Sequence, residues 1–239
     1  MNPANFKEQL QNYQERVKKY VEKDSLQRKR CHDENNTTIK IVIPLLEILG
    51  WVPESDLMEF EYTTRDRRDK TSNKVGWADI ALYASLGKED KPIILIEVKK
   101  IQNDIPFKRP TKIFEYMTHE GIAFGIATNG RQLLLYDNYR VGHSSCKGSN
   151  LVNFRSLKDL MDYREALNLF SRKSVVDGKL NAFSRYFHEE SRFHSWRKSL
   201  LGKNKDWDED TLKLKFACDF VRRSEGSRSF SSLNGSERD

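Results

Sequence analysis

Cysteine is scarce in this chain. There are three in 239 residues, Cys31, Cys146 and Cys218, and no CxxC pair. An odd count without paired spacing argues against a disulfide framework and a zinc knuckle, and fits a reducing compartment. Long apolar runs are also missing: none approaches the ~18 residues that a membrane span needs. The first residues, MNPANFKEQLQNYQ, hold no apolar core of the kind a secretion signal carries. The expected setting is therefore the cytoplasm, with no membrane partner. The five histidines (His32, His119, His143, His188, His194) show no metal-ligand spacing. The nearest thing to a phosphate loop, GIATNGRQ (125–132), has Arg-Gln where Lys and Ser/Thr belong, and it lies between two strand patterns. It reads as a hairpin, so no ATP-driven motor is expected. No helix-turn-helix or zinc-finger signature supplies a reader of bases.

What the chain does have is positive charge, with a formal net of +7. Such a surplus permits binding to nucleic acid without demonstrating it. Phe6, Leu10, Tyr13, Val17 and Tyr20 recur at helical spacing and predict an amphipathic helix within residues 1–23. A second helix is predicted from Asn36 or Thr37 to Gly50, kinked at Pro44. MEFEYT (58–63), VGWADIALYA (75–84) and KPIILIEVKK (91–100) then read as strands, followed by a helix over 110–119. IAFGIAT (122–128), the turn signal Asn129-Gly130 and RQLLLYD (131–137) complete the set as two further strands. The strands at 91–100 and 122–128 lack polar alternation over most of their length, as central strands do, and a helix joins them. They are expected to form a parallel βαβ unit within an α/β layout, a mixed sheet flanked by helices. From about residue 155 only helical patterns are expected. The proposed division is a domain over 1–150, a helical extension over 151–224 and a disordered tail over 225–239.

One strand poses a chemical problem. Glu97 and Lys99 sit at the end of the apolar run KPIILIEVKK, and Lys and Glu are almost never buried unless paired or bound to something. Residues two apart share a face of a strand, so the two project together. The preceding strand carries Asp79 as its one charge, and an antiparallel hairpin would bring it near Glu97. Two carboxylates held close raise each other's pKa, and a divalent cation removes that penalty. Oxygen ligands with open water positions suit Mg2+. A lysine beside such an ion can orient a water or balance charge on a phosphorane-like transition state.

Asp79, seventeen intervening residues, then Glu97-Val98-Lys99 resembles the PD-(D/E)xK nuclease motif, with Ala78 in place of its Pro. DENNTTIKIVIPLLEILGW (33–51), GWADIALY, IILIEVKK, FEYM and IATNGRQLLLYD resemble, in that order, the N-terminal nuclease domain of type I restriction enzyme R subunits. The likeness covers about residues 30–140. It implies a restriction-endonuclease-like fold and Mg2+-dependent DNA cleavage, with Mn2+ as a substitute ion, in restriction, defence or DNA processing. It implies that Asp79 and Glu97 bind metal, that Lys99 is the catalytic lysine, and that Glu34 is a further acidic group at the metal. Glu47 competes for that last role but sits at the far end of its helix. Related nucleases carry Gln-x-x-x-Tyr on the helix after the catalytic strand; here Lys112 and Tyr116 stand at those places.

Lys100, Lys108, Arg109 and the basic run Arg65–Lys70 would flank the site and supply salt-sensitive contact to DNA. Cutting both strands needs two active sites, so a homodimer or a partner subunit is expected. Two rival readings stand beside this one. One is a catalytically silent DNA-binding or assembly module of the same fold. The other is a structure-selective or RNA-directed nuclease.

Overall fold

The computed structural model describes residues 3–24, 33–65, 75–85, 91–106, 112–138, 149–188, 190–201 and 207–226. Residues 66–74, which hold all of the basic run after Arg65, and Lys108, Arg109 and Pro110 lie outside them, as do Cys31, His32, His143, Cys146 and residues 227–239.

The chain opens with helix α1 (Pro3–Asp24), which buries Phe6, Leu10, Tyr13 and Val17. Each of these is worth on the order of 1.5–3 kcal/mol relative to exposure. A second helical segment runs through α2 (Glu34–Thr37), a π turn (Thr38–Val42) and α3 (Ile43–Ile48). It begins three to four residues earlier than its sequence suggests. Asp33, rather than Asn36 or Thr37, caps it, accepting a 2.7 Å hydrogen bond from the Asn36 amide. Pro44 does not end the helix. The widened π turn comes immediately before it, where an N–H is missing from the ladder. Gly50, with φ +83°, closes the segment as predicted.

Six strands form one sheet in sequence order: β1 (Met58–Arg65), β2 (Val75–Leu82), β3 (Ile94–Val98), β4 (Phe124–Thr128), β5 (Leu133–Asp137) and β6 (Ser149–Phe154). All neighbours are antiparallel except β3 and β4. Helix α4 (Lys112–Glu120) links those two, the expected βαβ unit. The fold is thus α/β, a mixed sheet with helices on its faces. β6 is a strand the sequence reading missed. SNLVNF carries Asn150 and Asn153 between its apolar residues, and a bulge near Leu135 and Tyr136 disturbs its pairing with β5.

The two sheet faces are covered unequally. On one side α4 places Ile113 and Met117 against Ala81, Leu95, Ala127 and Leu134. On the other lies the larger core, where Ile80, Ile94, Ile96, Val98 and Ile126 meet α1, α3 and the C-terminal helices. The 156–170 pattern is broken into α5 (Leu157–Asp162), α6 (Arg164–Leu167) and a 3-10 turn (Asn168–Phe170), and Ser156 and Ser171 cap helices in this stretch. Helices α7 (Arg172–Val176), α8 (Lys179–His188), α9 (Glu190–Leu201) and α10 (Glu209–Gly226) follow. Phe183, Phe187, Phe193 and Trp196 gather around Phe216 of α10, so these aromatics are packing residues. No described helix is long and apolar enough to cross a membrane.

Candidate functional site

The site forms where β2 and β3 meet α2. All five residues of β3 are buried, and Glu97 is only 6% exposed. The ladder continues past the strand's last residue: the Lys99 amide donates to the Thr128 carbonyl at 2.8 Å. That fixes the backbone carrying both charged side chains. Lys99 Nζ lies 2.5 Å from Glu97 Oε1 and 3.9 Å from Glu34 Oε1. Glu97 is therefore buried with a cation against it, which meets the cost of removing a carboxylate from water.

Asp79 joins from the neighbouring strand. Its carboxylate accepts the Val98 amide hydrogen at 2.5 Å. The register Ile80 opposite Ile96 puts Asp79 beside Glu97. The backbone is irregular here. Ala78 packs in the α4-side cluster and Ile80 in the opposite core, although they stand two apart on one strand. Across the ladder, Glu61 has φ +54°, a left-handed conformation that costs a non-glycine residue free energy. The slip in alternation and the strained partner both fall at Asp79, the site carboxylate of β2.

The electrostatics follow from this crowding. Burial pushes the Asp79 carboxyl up to about 6. The Val98 amide opposes the rise, the charge of Glu97 adds to it, Lys99 opposes it and Glu34 adds to it. For Lys99, burial works against the ammonium, but the hydrogen bond and charge of Glu97, then Glu34 and Asp79, hold it above its ordinary value. Tyr116 on α4 lies in the same field: burial and then the charge of Glu97 raise its phenol. Its ring covers Gly76, where an added Cβ would lie 2.5 Å from Tyr116 Cε1 and 2.8 Å from the Thr64 hydroxyl.

Two residues position this cluster: Thr37, which the sequence offered only at the start of the second helix, and Asp33, which it did not single out. Thr37, fully buried, accepts the Ile101 amide hydrogen at 3.2 Å and so ties α2 to the chain leaving β3. Asp33 caps the helix that carries Glu34. Its carboxyl is held below the ordinary range first by the Asn36 amide, with Lys100 and Lys40 adding to the effect. A Thr inside a helix start gives no sequence signal of a long-range hydrogen bond; an Asp three residues before an Asn does signal a cap.

The structure thus brings Asp79, Glu97, Lys99 and Glu34 together, with Tyr116 beside them. Lys100 is exposed at the rim, and Lys112 is exposed at the first turn of α4. Glu47 lies near the end of α3, on a groove against α1. Among the described residues, no group of three or more His, Cys, Asp and Glu side chains is set to hold a metal ion. Asp79 and Glu97 nonetheless fit Mg2+ chemically. Both are hard oxygen donors, and that ion takes one or two protein carboxylates, completing its shell with water and phosphate oxygens.

No protein-family model and no curated protein matches the chain. Among solved structures it is similar to the fragment structure of a putative HsdR subunit of a type I restriction enzyme from Vibrio vulnificus YJ016. The identity is 23% and the TM-score 0.38, over 63% of this chain and 27% of that one. The match therefore spans about a quarter of that fragment's chain, and a likeness of this degree assigns no role to any residue.

Proposed function

We propose that this protein is a metal-dependent nuclease that hydrolyses phosphodiester bonds in DNA, acting in restriction, defence or DNA processing. One observation carries the reading. Asp79 and Glu97, the lone carboxylates of the adjacent strands β2 and β3, converge with Lys99 at the end of β3, and Asp79 is held at about 6. Packing alone gives no reason to gather two carboxylates and a lysine at the end of a buried strand. In this reading Asp79 and Glu97 hold Mg2+ or Mn2+, and Glu34 approaches from α2 as a further acidic group. The chemistry a hard divalent cation supplies in such a setting is charge neutralisation at phosphate and a lowered pKa of water. Lys99, a cation at the same place, contacts the scissile phosphate or orients the attacking water. Lys100, Lys108, Arg109, Lys112 and Tyr116 are assigned to the DNA backbone, and a second copy or a partner subunit supplies the site for the other strand.

A second reading has its own observation. Lys99 is closed on Glu97 at 2.5 Å, an ion pair that satisfies the glutamate with no metal at all. A silent DNA-binding module would keep that pair shut. Cleavage of supercoiled plasmid, linear duplex, single-stranded DNA and RNA in Mg2+ or Mn2+, against EDTA and Lys99→Ala, separates the readings. The nuclease reading requires cutting that both controls abolish, and the preferred substrate then identifies a structure-selective or RNA-directed enzyme. A wild type inert on every substrate, alone and with a supplied partner subunit, leaves the silent module.

A further inference from the structure

From the rim of this site a line of cations leads onto a part of the molecule that the proposed chemistry does not use. Lys100 follows Lys99, and its neighbour Ile101 is hydrogen-bonded to Thr37. Lys40 stands three residues beyond Thr37, within the π turn. Lys100 and Lys40 both act on the carboxyl of Asp33, so they flank the same helix start. Beyond Lys40 lies a groove of about 430 Å³ between α1 and the π turn, lined by Asn12, Glu15, Arg16, Lys19, Tyr20 and Lys40. Arg16, Lys19 and Lys40 are exposed, and Lys40 Nζ lies 5.8 Å from the centre of the Tyr20 ring. Three cations face one carboxylate in this groove.

The groove continues along α1 past Gln9, Asn12, Pro44 and Glu47. There the charge balances out and amide groups take over. Gln9 Oε1 is buried in that stretch without a donor, a group that the N–H or O–H of a bound ligand would satisfy. The local backbone contributes as well. A π turn carries one residue more than an α-turn, and such turns are frequent at functional sites. Here it places Lys40 on the groove while Ile41 stays buried against Gly130 and Tyr13.

We infer that the groove between α1 and the π turn is a track for the nucleic-acid backbone, with Lys100, Lys40, Lys19 and Arg16 meeting successive phosphates of the DNA strand leaving the site. A polyanion fits because four cations, Lys100, Lys40, Lys19 and Arg16, outnumber the carboxylates of Asp33 and Glu15 along a path that starts at the chemistry. Tyr20 offers an aromatic face beside the cations, a combination that suits single-stranded segments. The inference rests on the nuclease reading for its starting point, but its test is independent of cleavage.

The test is equilibrium binding of fluorescent duplex and single-stranded oligonucleotides in EDTA, from 50 to 200 mM KCl. Wild type is compared with Arg16→Gln/Lys19→Gln/Lys40→Gln and with Lys173→Gln/Lys198→Gln/Arg223→Gln, which makes the same charge change on the C-terminal helices. Each phosphate contact contributes about 0.9 to the slope of log affinity against log salt on duplex and about 0.7 on single strands. The groove variant is expected to lose roughly two to three such contacts from the slope, while the C-terminal variant keeps the wild-type slope. Unchanged melting temperatures confirm that both variants fold. Equal slopes for wild type and groove variant overturn the track, as does equal loss in the two variants or no binding by wild type. If the groove variant alone loses slope but wild type never cuts in Mg2+ or Mn2+, the track stands and the nuclease reading falls. Metal-dependent cutting with an unchanged slope gives the converse.

Discussion

The Val98 amide donates its hydrogen to the Asp79 carboxylate across 2.5 Å, although the two residues belong to neighbouring strands and Val98's own side chain faces the opposite core. A backbone group of β3 thereby fixes the position of a side chain of β2. The carboxylate is aimed by the sheet itself, and its protonation is governed by what crowds around it.

That crowding sets a pH dependence. With its folded value near 6 and its ordinary value at 3.8, Asp79 holds its proton longer in the native state than in the unfolded one. Between those two pH values the native state binds more protons, so this group makes stability fall as pH rises. Asp79→Asn should remove that component. Urea melts at pH 4 and pH 7 should show the variant gaining on wild type at pH 7, and Mg2+ should narrow the difference by stabilising ionised wild type. Cleavage by wild type should fall as pH drops below about 6. A variant that tracks wild type at both pH values would mean that Asp79 is not crowded.

Lys99 has two duties that one substitution separates. Lys99→Met removes the cation beside Glu97, which is 6% exposed. Leaving a buried charge without its partner costs about 3–5 kcal/mol. The melting temperature should drop in EDTA and recover in part with Mg2+, because the ion replaces the lost positive charge. Cleavage should not recover. Recovery of both would reduce Lys99 to a charge balance.

Gly76 is where the α4 side of the site allows no side chain. In Gly76→Ala the new methyl would lie 2.5 Å from the Tyr116 ring, and overpacking of this kind costs about 1–3 kcal/mol. Tyr116 must move, so affinity for DNA should weaken in Gly76→Ala, and Tyr116→Phe in the same background should add little further loss. If Tyr116→Phe weakens binding equally in both backgrounds, Gly76 does not act through Tyr116.

Thr37→Val keeps the shape of the side chain but deletes the acceptor for the Ile101 amide. A buried donor left unsatisfied costs about 1–3 kcal/mol. Release of α2 should also carry Glu34 away from Lys99, now 3.9 Å apart. Metal affinity, measured by calorimetry, should therefore fall in Thr37→Val and not fall further when Glu34→Gln is added. Additive losses would separate Thr37 from the acidic group.

The sequence made the chemistry easier to see than its supports. Asp79, Glu97 and Lys99 stood out because each interrupts an apolar strand, where a charge needs a reason. The βαβ unit was visible in two unbroken apolar runs joined by a helical one. β6 was not, because Asn150 and Asn153 spoil its alternation and its register slips against β5. The helix holding Glu34 was placed late because Thr and Asn near its start also make good caps, and Asp33 outcompeted them. Thr37 was visible only as a possible helix start, since its partner lies 64 residues away and nothing local marks a bond of that range. The slip at Asp79 was hidden for a related reason: alternation predicts faces only while the strand stays regular, and Glu61 shows that here it does not.

The π turn has a genetic meaning as well as a geometric one. Such a turn corresponds to an α-helix that has gained one residue, and each residue is worth about 100° of rotation. A relative lacking one codon between Thr38 and Val42 would restore a plain helix. Because the π turn takes its extra residue into one wider turn, the helix halves on either side keep their faces, and Glu34 would stay turned toward Lys99. Length in this short stretch is therefore free to differ by one residue among related chains that present an acid at this position, and a gap here is no sign that the acid has been lost.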